Sequence, residues 1–175
     1  FIALNTNDDI LILDPESEFG LLAKELGGEV LPISATSPVH INALDMDKDY
    51  GDGGDPLIEK SEFILSLFEP LVGKGNLTPQ DMSLLDRCTG AVYRSYIQGG
   101  YQGQSPTLVD LRQALLAQHE PEAQKLALAS ELYITGSLNT FARQTNVDTN
   151  SRIIVYDIRE PGQQLMPIGM VVTLD

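Results

Sequence analysis

Residues 8–34 read DDILILDPESEFGLLAKELGGEVLPIS, and the order of chemistry in that stretch decides the fold class. Ile10, Leu11, Ile12 and Leu13 form an unbroken apolar run closed by Asp14 and Pro15, the pattern of a strand buried on both faces. The segment SEFGLLAKELGG supplies Ser17 as a helix cap, Leu21, Leu22 and Leu26 as an apolar stripe, and Gly27-Gly28 as a stop. EVLPIS, residues 29–34, reads as a second strand. A strand, a helix and a strand in that order predict an open α/β sheet in which the two strands are parallel neighbours.

Downstream the periodicity changes. DPLIEKSEFILSLFEPLVG (55–73) has Asp55 as cap, Pro56 at the first helical position, and Leu57, Phe63, Ile64, Leu67 and Phe68 at helical spacing. A second helix opens at residue 78, where Thr78, Pro79 and Asp81 form a capping box with Asp in place of Glu. A third is capped by Thr107 and striped by Leu108, Leu111 and Leu115, and a fourth covers 120–134. SRIIVYDIRE (151–160) then returns to a strand pattern, and QQLMPIGMVVTLD continues as an apolar, helix-like run. The expected organisation is an α/β core over 1–50, an all-helical insertion over 51–150, and a return to the core over 151–175. The start without a methionine or cap, and the end inside a helical pattern, read as a piece of a longer chain.

Composition narrows the function classes. Lys and Arg total 11 against 25 Asp and Glu, a net charge of −14, which argues against a broad surface for nucleic-acid phosphates. With one cysteine, Cys88, neither an internal disulfide nor a multi-cysteine zinc site can form, and a reducing compartment fits. No apolar run approaches the roughly 18–20 residues of a membrane span, and no signal peptide opens the sequence.

Several motifs invite a chemical reading and fail it. NALDMDKDYGDGGDP (42–56) has aspartates at 45, 47 and 49, as a calcium loop would, but that frame puts Tyr50 where glycine is needed and Pro56 where a bidentate Glu is needed. It reads instead as a solvated acidic crossing that ends in a helix cap. VGKGN (72–76) lacks the Ser or Thr after Gly-Lys and the earlier glycine of a phosphate loop, so it reads as a helix C-terminal turn. His40 and His119 lie far apart outside any ligand spacing, and Cys88 sits at an apolar position inside a helix. The acidic turn after the first strand carries more. Asp14, Glu16 and Glu18 follow its carboxyl end, where open α/β sheets bind ligands. Acids there can orient water, a metal-bound phosphate or a cation, or they can simply cap the next helix.

Four segments together, DDILILDPESEFGLLAKELGGEVLPIS, SPVHINALDMD, EPEAQKLALASELYITGSLNTFARQTNVD and RIIVYDIREPGQQLMPIGM, resemble the ATPase of conjugative type IV secretion systems. The class is TraC/TraE, of the type carried by Gram-positive integrative elements. The resemblance implies a RecA-like P-loop NTPase core with a parallel sheet and an all-helical insertion. It further implies a hexameric motor, using ATP and magnesium, that drives pilus assembly or DNA transfer at the cytoplasmic face of the membrane with other secretion subunits. The Walker A loop of such a protein precedes Phe1 and the Walker B strand follows Asp175, and neither motif is present here. The piece itself is therefore expected to hold no cofactor and to be inert, with some apolar surface left uncovered. By the same resemblance Asp14, Glu16 and Glu18 lie beside the nucleotide pocket. Arg152 and Arg159, flanking IIVYDI, are candidates for an arginine acting across subunits, or for surface ion pairs. The alternative is a free-standing helical interaction module with no nucleotide role.

Overall fold

The computed structural model describes residues 5, 7–34, 36–51, 53–158 and 165–173. Strand β1 (Ile10–Asp14), helix α1 (Gly20–Glu25) and strand β2 (Glu29–Pro32) come from the opening stretch. Helices α2 (Pro56–Val72), α3 (Pro79–Gln98), α4 (Leu108–Leu116) and α5 (Pro121–Ala129) follow, then a single turn α6 (Glu131–Ile134). Strand β3 (Ile153–Asp157) and helix α7 (Met166–Thr173) come last.

The sheet is parallel, but its order is β1-β3-β2. The two strands expected to be neighbours are therefore separated by one that arrives after the whole helical block. Burial explains the order. Ile153, Ile154, Val155 and Tyr156 are buried in succession, so β3 needs cover on both faces, which only the central position supplies. β1 is an edge strand, and Leu11 is 55% exposed rather than buried. Alternate residues of β3 serve two cores. Ile153 and Val155 pack with Ala23 of α1, flanked by Ile10, Ile12, Leu26 and Val30. Ile154 and Tyr156 face the other way, into a large core with Leu31, Phe68, Leu85, Leu111 and Leu126. Sheet and helical block thus share one apolar interior.

Helix α1 is shorter than its sequence pattern and turned differently. Ala23 is its buried residue, whereas Leu21 and Leu22 are 75% and 55% exposed. Small Ala23 lets the helix approach the sheet closely, and that choice of face carries the two leucines outward. The helix stops as expected. Gly27 adopts φ 75° while Gly28 N–H donates to the Ala23 carbonyl at 2.8 Å and Gly27 N–H to Lys24 at 3.0 Å. Gly28 is needed for space: a Cβ there would lie 2.7 Å from both Cβ and the carbonyl oxygen of Ile153.

The caps of the helical block are those the sequence indicates. Asp55 accepts from Leu57 N–H at 2.9 Å, and Thr78/Asp81 and Thr107/Asp110 form reciprocal capping boxes. Asp81 is fully buried and also accepts from Lys125 of α5 at 3.1 Å, which ties the start of α3 to α5. The helix expected over 120–134 is broken at Ser130, whose buried hydroxyl donates to the carbonyls of Leu126 and Ala127.

Gly28→Ala should cost about 1–3 kcal/mol by overpacking against β3. Leu21→Ser, at an exposed site, should stay within about 0.5 kcal/mol of wild type. Urea denaturation of both variants checks the contrast. Asp81 adds a pH signature. Burial opposes its ionisation, but the bonds from Thr78 and Lys125 outweigh that and hold its carboxyl below the usual value. The stabilisation is therefore complete above the ordinary carboxylate pKa of about 4 and is lost as pH falls through the lowered value. Asp81→Ala should lose about 1–2 kcal/mol near neutrality, and denaturation at decreasing pH should show the gap to wild type closing only in strong acid.

Candidate functional site

The carboxyl ends of parallel strands share one edge of the sheet, and here that edge is acidic. Asp14 of β1 and Asp157 of β3 are partners in register. Asp14 is 1% exposed, and its carboxylate accepts from Glu18 N–H at 3.1 Å and Phe19 N–H at 2.8 Å. The turn into α1 is thus capped by Asp14, from the end of the strand. Ser17, expected as the cap, takes φ 59° and donates its hydroxyl to Asp157 Oδ1. Ile158 N–H donates to the Asp14 carbonyl and Ile33 N–H to that of Asp157, so all three strand ends are stitched together. Glu16 and Glu18 are exposed on this turn. Both oxygens of Asp14 are engaged by main-chain donors, so it holds the turn rather than serving as an open base. The carboxylates that the turn offers to solvent are Glu16 and Glu18.

Of the two predicted arginines, the one that is described does not join this edge. Arg152 precedes β3, and its carbonyl accepts from Ile10 N–H at 2.7 Å. Four strand rises, roughly 13 Å, separate that end of β3 from Asp157. Arg159 lies outside the described residues.

A second cluster was not singled out by motif. Asn42, 3% exposed, donates from Nδ2 to Ser105 Oγ at 3.1 Å and to the Pro106 carbonyl at 2.9 Å, and its Oδ1 accepts from Leu44 N–H at 3.0 Å. Its own N–H donates to Thr145 Oγ1 at 2.9 Å. Ser105 passes the chain on to Asp45 Oδ1, and Gln144 Nε2 donates to the Ser105 carbonyl at 2.7 Å. Main-chain bonds run alongside, Ile41 to Thr140, Ala43 to Phe141 and Asn146 to His40. Three connecting segments, around 42, 105 and 145, are thereby locked into one buried polar knot. Nothing in local sequence marks it, because the side-chain bonds of Asn42, Ser105 and Gln144 that join its segments span 39 to 103 positions.

The knot changes the character of the aspartate-rich stretch. Asn42, Ala43, Leu44 and Met46 are buried, and the carbonyls of Leu44 and Met46 accept from the hydroxyls of Tyr93 and Tyr96. Tyr50 takes the ammonium of buried Lys60 3.9 Å from its ring centroid. The stretch expected as a solvated crossing is therefore packed at Asn42 to Leu44 and Met46, while Asp45, Asp47, Lys48, Asp49, Asp55 and the described glycines face water. Gly51 (φ 85°) leaves room for the Glu59 carboxylate, which accepts from Gly54 N–H at 3.1 Å. Among the described residues no three His, Cys, Asp or Glu side chains converge as a metal cage. Burial pushes the Cys88 thiol up, away from the reactive thiolate. His119 is exposed, and His40 Nδ1 is buried with no hydrogen-bond partner among the described residues.

No family model matches the chain, and no curated protein matches it. Among solved structures it matches VirB4 of Thermoanaerobacter pseudethanolicus at TM-score 0.74 and 19% identity, over 95% of this chain and 66% of that one. The chain is similar in fold to VirB4. It spans a little under two thirds of the VirB4 chain, and at this identity the likeness is one of fold. The likeness to VirB4 gives the sequence resemblance a structural counterpart. The segments that carry the resemblance also meet in space: DPESEF touches YDI at the acidic edge, and SPVHINALDMD pairs with GSLNTFARQTNVD in the polar knot.

Asn42→Ala leaves Leu44 N–H and the Pro106 carbonyl without their buried partner, and should cost about 1–3 kcal/mol. Asp49→Ala, exposed on the same stretch, should change stability by no more than about 0.5 kcal/mol. Thermal denaturation of the pair distinguishes the knot from a merely solvated loop.

Proposed function

We propose that this chain is part of a motor ATPase that energises conjugative DNA transfer or type IV secretion. One observation carries the reading: similarity to the VirB4 fold over 95% of the chain, on a sequence that resembles that ATPase family in four segments. On this reading residues 1–50 and 151–175 belong to a RecA-like core, and 51–150 form a helical insertion that contacts other secretion subunits or gates a hexameric ring. The ring works at the cytoplasmic face of the membrane, reached through the secretion complex. Among the described residues no helix is long and apolar enough to cross a membrane. Exposure of Leu11, Phe19, Leu21 and Leu22 supports the reading, because α/β layers of this kind are normally covered on both faces.

ATP and magnesium belong to the whole motor. The chain contains neither Gly-x-x-x-x-Gly-Lys-Ser/Thr nor an apolar strand ending in Asp-Glu, the groups that cradle phosphate and hold the metal. By itself it should be inert. Asp14 then serves by fixing the turn, while Glu16 and Glu18 face the nucleotide pocket or a neighbouring subunit. Arg152, at the opposite end of β3, and Arg159 belong to a subunit contact.

Calorimetry of the 175-residue chain with ATP and magnesium should show no saturable heat, and tight magnesium-dependent binding would overturn the inert assignment. The motor reading is tested on the flanking reading frame. It should encode a Walker A loop upstream and a Walker B strand downstream, and the longer protein should release phosphate from ATP until the Walker lysine is replaced. Absence of both motifs, with no phosphate release, would sink it.

A further inference from the structure

Two cavities adjoin at Tyr96. One, of about 600 Å³, opens between the 41–50 stretch and α7. The other, of about 470 Å³, opens between α3 and the segment around 102–106. We propose that this double groove docks an extended, basic segment of a partner protein.

Charge complementarity chooses the occupant. Asp45, Asp47 and Asp110 line the two cavities, and among the described residues no lysine, arginine or histidine does. The chain as a whole carries −14, so a basic partner is also drawn in from a distance. Tyr50 and Tyr96 supply aromatic rings beside those carboxylates. The Tyr50 ring already receives one cation, the Lys60 ammonium at 3.9 Å. That face is therefore taken, and the ring that borders both cavities is that of Tyr96. The walls are fixed before anything binds: Tyr96 is held by the Met46 carbonyl at 2.9 Å, and Asp45 by Ser105. A pre-set groove loses little freedom on binding.

A peptide fits better than a free polyamine. The second cavity is lined by amides such as Gln104, whose paired donor and acceptor match a peptide group. A polyamine offers donors only. Nothing here rests on a nucleotide role, so the inference stands or falls apart from the motor reading.

The test uses the whole chain and a fluorescein-labelled peptide of alternating arginine and serine, read by anisotropy and by amide chemical shifts. Asp47 is exposed and its Oδ1 accepts a local bond from Asp49 N–H, so Asp47→Lys should fold normally. It should weaken binding about tenfold, from loss of one carboxylate and addition of a like charge. Glu25→Lys changes net charge equally, but on exposed α1 across the sheet, and should leave affinity within about twofold. Shifts should centre on residues 41–50, 96 and 102–106. Equal weakening by both variants, shifts centred elsewhere, no binding, or spermine binding as tightly as the peptide would each overturn the proposal.

Discussion

The insertion of β3 between β1 and β2 is the constraint on which the rest of the structure depends. Its Ile-Ile-Val-Tyr run is buried on both faces, so the sheet cannot close around it until α1 covers one side and the helical block the other. Everything near it is sized to that strand. Gly28 has no side chain because Ile153 occupies the space, and Ala23 is small because α1 lies directly over Ile153 and Val155. At the far end, Asp157 receives Ser17 and thereby pulls the acidic turn onto the edge of the sheet. One apolar strand thus sets both the layer order and the position of the candidate site.

The helical block is bound to the sheet by two different kinds of contact. The first is the continuous core, in which Leu31, Ile154 and Tyr156 lie among the apolar faces of the helices. The second is polar. Asn42, Ser105, Thr145 and Asp45 hold three connecting segments together by hydrogen bonds that are buried at Asn42–Ser105 and part-buried toward Thr145 and Asp45. Apolar burial sets how closely the layers approach, and the directional bonds set which loop meets which. The groove around Tyr96 is a consequence of the second kind, because its walls are the segments that the knot fixes.

At the acidic edge, geometry divides roles among residues that look alike in sequence. Asp14 is consumed by main-chain donors, and Asp157 by a hydroxyl, while Glu16 and Glu18 keep exposed carboxylates. In a motor of the proposed kind this is a rigid base carrying two adjustable charges.

Local chemistry alone was enough for much of the chain. The apolar run before Asp14, the caps at Asp55, Thr78 and Thr107, and the stop at Gly27-Gly28 depend on neighbours within five positions, so they are legible in sequence. So was the parallel character of the strands. The strand order was not, since β1-α1-β2 is compatible with adjacent strands until a more apolar third competes for the centre. The face of α1 was hidden for the same reason: Leu21 and Leu22 look like core until Ala23 turns out to be what fits against β3. Of the candidate site, the acidic turn, capping by Asp14 and the place of Arg152 before the strand could be read from sequence, but not that Ser17 turns away to donate to Asp157. The polar knot was beyond reach, because a hydrogen bond between positions 42 and 145 leaves no periodic trace. Sequence by itself determined the order and type of most elements and their capped starts, where short-range hydrogen bonding and side-chain sterics decide. The tertiary structure alone decided which apolar surface was buried and which carboxylates stayed open, because both depend on competition among distant segments for the same limited interior.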